Sequence, residues 1–127
     1  MFARAAYPLS LVLTFCAAPA VADWGGYAVH QGTYDWGYSA GWGSRGEANE
    51  RAMFYCRQNA GADASCEVLM ATTQCGGLAR GSKNGAPFFA TGEGAHPDAA
   101  AEAAMAACDQ QGANFCQIRH SFCADDL

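Results

Sequence analysis

The chain opens on a largely apolar stretch and then settles into short strand-like and helix-like periods. Residues 5–18, centred on Leu9-Ser10-Leu11-Val12-Leu13-Thr14-Phe15, carry no amphipathic spacing. Beyond them, residues 27–30 and 34–41 read as two strands joined by a Gln31-Gly32-Thr33 turn. Ser44-Arg45-Gly46-Glu47 has the Ser-x-x-Glu form of a capping box, in which hydroxyl and carboxylate satisfy unpaired N–H groups at a helix start. A helix is predicted over residues 45–59, with Ala48, Ala52, Tyr55 and Cys56 on one face and Glu47, Glu50, Arg51 and Arg57 elsewhere. Gly61 closes it, and residues 66–72 make a third strand.

The same succession then returns. Strands are predicted at 78–80 and 88–91, joined by a turn within 81–87. Pro97 and Asp98 suit a first helical turn capped by His96, and an Ala-rich helix runs over 99–111 to Gly112. Residues 115–122 form the last strand, where His120 alternates with Phe115, Ile118 and Phe122. Laid over each other, Ala48, Glu50, Ala52 and Cys56 meet Ala100, Glu102, Ala104 and Cys108, while Trp36 falls on Phe88 and Gly25-Gly26 resembles Gly76-Gly77. This shared order points to two internal repeats, about 23–75 and 76–127. The expected fold is α+β: two strand-strand-helix-strand units forming a largely antiparallel sheet covered by two helices.

Composition adds a destination. Arg4, the apolar stretch and the small residues Ala20 and Ala22 before Asp23 follow the charged, apolar, small-x-small order of a secretory signal. The run is too short for a permanent span of about 20 residues. A signal peptide over 1–22 and one mature domain over 23–127 are therefore expected, in the periplasm or outside the cell. Cys16 leaves with the signal, because bulky Phe15 precedes it where a lipid-anchor site wants a small residue. The formal net charge is −5, and losing Arg4 makes the mature domain more negative still. No Lys/Arg cluster exists, which argues against nucleic acid, and against an anionic membrane surface once the signal is gone.

Six of the seven cysteines remain: Cys56, Cys66, Cys75, Cys108, Cys116 and Cys123. An even number in a short exported chain reads as a disulfide framework, and neither Cys-x-x-Cys pairs nor suitably spaced histidines support zinc. Equivalent positions of a duplicated fold should pair equivalently. That selects Cys56–Cys66 and Cys108–Cys116, and leaves Cys75 to Cys123.

Several of these segments carry a family likeness: Trp24-Gly25-Gly26-Tyr27-Ala28, Gly41-Trp42-Gly43, Glu47-Ala48 with Arg51-Ala52 and Cys56, Cys66, Cys75-Gly76-Gly77-Leu78-Ala79, and Ala101-Glu102-Ala103 with Cys108 and Cys116. In this order they resemble the bacterial domain-of-unknown-function family 4189, over nearly all of the mature chain. The second unit departs from the pattern, with Phe88-Phe89 in place of Trp-Gly and His96 in place of a Ser or Thr cap. The resemblance implies an exported bacterial domain and brings no activity or catalytic residues with it.

Chemistry is sparse. Gly41-Trp42-Gly43-Ser44-Arg45-Gly46 fits Gly-x-Gly-x-x-Gly between strand and helix, but the chain is short for a dinucleotide fold and the second copy loses the third glycine. A tight strand-to-helix turn is the plainer use. His30, His96 and His120 show no partner at a known spacing, paired cysteines leave no free thiolate, and no Gly-x-Ser-x-Gly elbow occurs. No cofactor, metal or catalytic residue is expected. The informative feature is Tyr34, Trp36, Tyr38 and Trp42, which with Ala40 share one parity of an extended chain. They are either core beneath the helices or an open face for sugar rings, peptides or a partner protein. The function expected is a non-catalytic binding or inhibitory module for a protein or cell-envelope ligand. A small envelope hydrolase built from scattered carboxylates is the alternative, and a secreted effector or immunity-type partner a third.

Overall fold

The structure is a computed structural model that describes residues 22–126. Apart from Ala22, the expected signal peptide, Cys16 included, lies outside the described residues. The elements run β1 (Trp24–His30), β2 (Trp36–Trp42), α1 (Arg45–Ala60), β3 (Cys66–Thr72), β4 (Cys75–Lys83), β5 (Ala86–Gly94), α2 (Pro97–Gln110) and β6 (Asn114–Cys123).

Local chemistry sets the boundaries. Ser44 Oγ accepts the Glu47 N–H at 3.2 Å and starts α1, and Gly61, at φ 116°, ends it by donating its N–H to the Arg57 carbonyl. His96 does occupy the N-cap position of α2, but its ring makes no capping bond; Pro97 at the helix start does the work instead. The link between β4 and β5 is tighter than residues 81–87 suggested. Asn84 and Gly85 both take positive φ, a two-residue turn whose twist matches the strands on either side, so pairing continues to Lys83 opposite Ala86.

The α+β class expected from the pattern is what the chain adopts, with the strands divided between two antiparallel sheets, ordered β2-β1-β3 and β5-β4-β6. In each the unit's first strand lies at the centre. Tyr27 and Val29 of the first sheet meet Leu78, Phe89 and Phe122 of the second in one apolar core, with Trp36, Leu69 and Met70 packed against it. The opposite faces carry the helices: Ala28 packs with Ala52, Cys56 and Cys66, and Ala79 and Ala90 pack with Ala104 and Cys108. The order of layers is thus helix, sheet, sheet, helix. Phe89 is the β5 residue that enters the inter-sheet core as Trp36 does, whereas Phe88, laid over Trp36 in sequence, packs on the α2 side.

The helices lie unusually deep. Ala48, Ala52 and Cys56 of α1, like Ala100, Ala104 and Cys108 of α2, are wholly buried. They sit against strand backbone: a Cβ on Gly37 would stand 2.3 Å from the Cys56 nitrogen, and one on Gly77 would stand 2.5 Å from the Ala100 carbonyl oxygen. Only small side chains fit such an interface, which explains the Ala-rich helix faces. Tyr55, placed with these residues by helical spacing, is accordingly displaced from the core face and is exposed.

Three disulfides close the structure: Cys56–Cys66 and Cys108–Cys116 tie each helix end to the following strand, and Cys75–Cys123 joins β4 to β6. This is the pairing the duplicated order selects.

Candidate functional site

The site is built on β2, an edge strand. Its odd positions face α1: Gly37 lies under the helix backbone, and Ser39 Oγ donates to the Ala48 carbonyl at 2.7 Å. Its even positions, Trp36 and Tyr38, turn towards the second sheet. There the Tyr38 ring packs at a tilt of 43° against His120 of β6, 4.2 Å between centroids, and Trp36 lies 5.1 Å from the same imidazole.

The five-residue stripe read from sequence does not hold along its whole length. Pairing with β1 shifts register between Gly26↔Ser39 and Trp24↔Trp42, where Gly41 adopts φ 78°. This bulge inserts an extra residue, so Trp42 turns to the helix side, where the Arg51 guanidinium covers its ring at 4.9 Å. Tyr34 precedes β2 altogether. It is 59% exposed and lies against Arg80, whose guanidinium carbon is 4.5 Å from the ring centroid. Of the four aromatics, the fold brings Trp36 and Tyr38 together, leaves Trp42 at the far end on the other face, and sets Tyr34 apart.

A groove of about 630 Å³ opens along this edge, with Trp36, Tyr38 and Ala40 on one lip, His120, Ser121 and Phe122 on the other, and Trp42, Tyr55, Asn59 and Asp126 around them. Its floor is rigid. Tyr27 is fully buried behind it, packing edge-on to Trp36, His120 and Phe122. The Tyr27 hydroxyl lies 2.9 Å from His120 Nδ1 and 3.4 Å from the Gly76 carbonyl oxygen. Burial above all, and the neighbouring Tyr38 next, push the Tyr27 phenol far above its usual range, so it keeps its proton. We assign that proton to the shorter contact, with Nδ1 accepting; the neutral imidazole then carries its own proton on Nε2. Burial also lowers the His120 pKa, which keeps the ring uncharged at neutral pH.

Sequence reasoning placed His120 on a strand without a partner. Its shared parity with Phe122 was the available signal, but nothing local told that β6 would face β2. Tyr55 and Asn59, one helical turn apart, were likewise not recognisable as groove residues. The Asn59 side-chain amide donates to the Trp36 carbonyl at 2.7 Å and so reaches over the edge of the sheet.

The other motifs take structural roles. Gly41 to Gly46 forms the bulge and the capped start of α1. Cys123, Asp125 and Asp126 bring their side-chain atoms close together, but the cysteine sulfur is bonded to Cys75 and Asp126 accepts the Cys123 N–H at 2.7 Å. Two exposed carboxylates remain there, which is a weak donor set for a metal. No helix among the described residues is long and apolar enough to cross a membrane.

Comparison with curated proteins and with solved structures finds no match to this chain. The family model described as Domain of unknown function (DUF4189) matches residues 24–123, which take in every strand and both helices, and the chain belongs to that family.

Proposed function

We propose that this protein is an exported, disulfide-bonded binding module without catalytic activity, and that its ligand occupies the aromatic groove between β2 and β6. The observation that carries this reading is Tyr38. It is 40% exposed beside the groove, although its ring packs against His120 and its strand neighbour Tyr27 is buried. The comparable strand of the second unit, β5, puts Phe89 into the core and Phe88, half-buried, on the α2 side, and sets no exposed ring between the sheets as Tyr38 is set, so packing alone does not ask for the extra rings. Tyr and Trp give large contact area at little entropic cost, which suits them to recognition.

The hydrolase reading draws less support. Two-carboxylate chemistry needs a facing pair, and among the described residues lining the groove Asp126 is the sole carboxylate. Ser121 neighbours His120 in a strand, where successive side chains point to opposite faces, so the two make no nucleophile–base pair.

We also read the two units as copies of one ancestral unit, and residues 1–22 as a cleaved signal that delivers the domain to the periplasm or the exterior. Mass spectrometry of the exported protein should then find Asp23 at the N-terminus. The binding reading is tested by affinity capture from an envelope extract, using native protein and Tyr38→Ala side by side. A stoichiometric ligand lost with Tyr38 while the melting temperature barely moves supports it. Capture that survives the substitution, or turnover of an envelope substrate, sinks it.

A further inference from the structure

We propose that the groove takes an extended, basic peptide segment of a partner protein, added as a strand along the free edge of β2. The inference rests on the groove being the binding site and goes further, because it follows from where backbone groups point. His30 donates its N–H to the Asp35 carbonyl across β1 and β2, so the residues of alternate parity, Trp36 and Tyr38, direct their N–H and C=O away from β1. The Trp36 carbonyl shows this directly, since Asn59 bonds it from outside the sheet. On the facing lip, Asp126 bonds the Cys123 N–H on the side away from β4, and the same alternation turns the Ser121 groups outward.

The edge is covered at its ends and open between them. Asn59 caps Trp36, and the Gly41 N–H donates to the Ala124 carbonyl at 2.8 Å. Between these two ties, no described residue bonds the outward N–H and C=O of Tyr38, which border an aromatic floor. Proteins usually blunt a bare edge with charge, proline or a covering segment; here the covering is interrupted where the groove lies. The five residues from Trp36 to Ala40 make a stretch about 16 Å long at the usual strand rise, so a peptide of four or five residues can lie along it, paired to the backbone of Tyr38 between the two ties. Backbone pairing would hold it, and alternate side chains would rest on Trp36, Tyr38 and His120.

Charge selects the peptide. Among the described residues lining the groove are one carboxylate, Asp126, and no Lys or Arg, in a chain of net charge −5. His120 is held neutral. Aromatic faces beside a carboxylate favour an ammonium or guanidinium over an acidic side chain.

The experiment selects random heptapeptides displayed on phage against the mature domain and measures the enriched peptides by fluorescence titration. Amide exchange is followed by NMR. The expected peptides are rich in Lys or Arg and protect the Tyr38 amide. N-methylating alternate peptide nitrogens should weaken them about tenfold or more. Asp126→Asn, which keeps the acceptor for Cys123, should weaken them up to about fivefold, and less at high salt. A selection that enriches nothing overturns the proposal, as do binders indifferent to N-methylation. Protection of Tyr38 that rises with protein concentration in the absence of peptide would also overturn it, by making a second copy the occupant. Binding of an N-acetylglucosamine oligomer that is lost in Tyr38→Ala would sink strand addition and keep the groove. Loss of no ligand at all on Tyr38→Ala would remove the groove itself.

Discussion

Gly37→Ala adds one methyl group where α1 leaves no space for it. The new Cβ would stand 2.3 Å from the Cys56 nitrogen, 2.6 Å from the Ala52 carbonyl oxygen and 2.8 Å from the Tyr55 carbonyl carbon, and ordinary contact begins at 3.4 Å. All three neighbours are helix backbone, so no side chain can rotate out of the way, and α1 must retreat by about 1 Å. Retreat opens gaps around Ala48, Ala52 and Cys56, and the Cys56–Cys66 bridge limits where the helix end can go. Overpacking of this kind costs about 1–3 kcal/mol, and the upper end is expected because backbone meets backbone. At roughly 4–8 °C per kcal/mol for a domain of this size, the melting temperature should fall by roughly 15 °C. Gly46→Ala is the control: it lies in the first turn of the same helix with nothing within 4 Å of its new Cβ. It should gain about 0.5–1 kcal/mol through backbone entropy alone. Urea unfolding monitored by tryptophan fluorescence measures both. If Gly37→Ala came within about 0.5 kcal/mol of the native protein, α1 would not lie at this depth, and the account of the small-residue interface would be wrong.

Other consequences can be checked in the same assay. Replacing Cys75 and Cys123 together by Ala should cost about 4 kcal/mol on the chain-entropy model, against about 2.5 for either short bridge, since their separations are 48, 10 and 8 residues; equal losses would refute that model here. His120 has its pKa lowered by burial, so the unfolded chain takes up a proton first as pH falls. Stability should therefore hold above about pH 6.5 and decline below it, and His120→Phe should flatten that part of a pH titration. Tyr27 works in the opposite sense: the folded phenol stays protonated after the unfolded one ionises, so stability should fall as pH rises above about 10. Tyr27→Phe should remove the alkaline loss.

The sequence was most legible where local chemistry acts. Ser44, Gly61 and Gly112 bracket the helices because caps and positive-φ stops are decided within a few residues, and the cysteines could be paired because two similar units had to close alike. It failed where one residue changes the geometry of all that follow. Parity counted along β2 is sound as far as Ala40, and Gly41 then turns Trp42 to the other face. A glycine in a strand can equally well be flat, so the bulge has no signature of its own. The groove needed more still: β6 had to be placed opposite β2, and that pairing of layers belongs to the inter-sheet core of Tyr27, Leu78 and Phe122, not to any segment taken alone.

None of the three bridges links the two halves of the molecule. With the halves divided at the β3–β4 link, so that Cys75 as the first residue of β4 belongs to the second sheet, Cys56–Cys66 lies wholly in the first and the other two wholly in the second, and the chain passes between them only through Thr73 and Gln74. What joins the halves otherwise is the buried core and a few bonds, such as Thr72 Oγ1 to Glu93 Oε2 at 2.7 Å. A single protease nick at Thr73-Gln74 would turn the protein into a two-chain complex whose fragments part in denaturant with every sulfur still paired. The same economy allows two intact molecules to trade halves, each first sheet settling on the other's second.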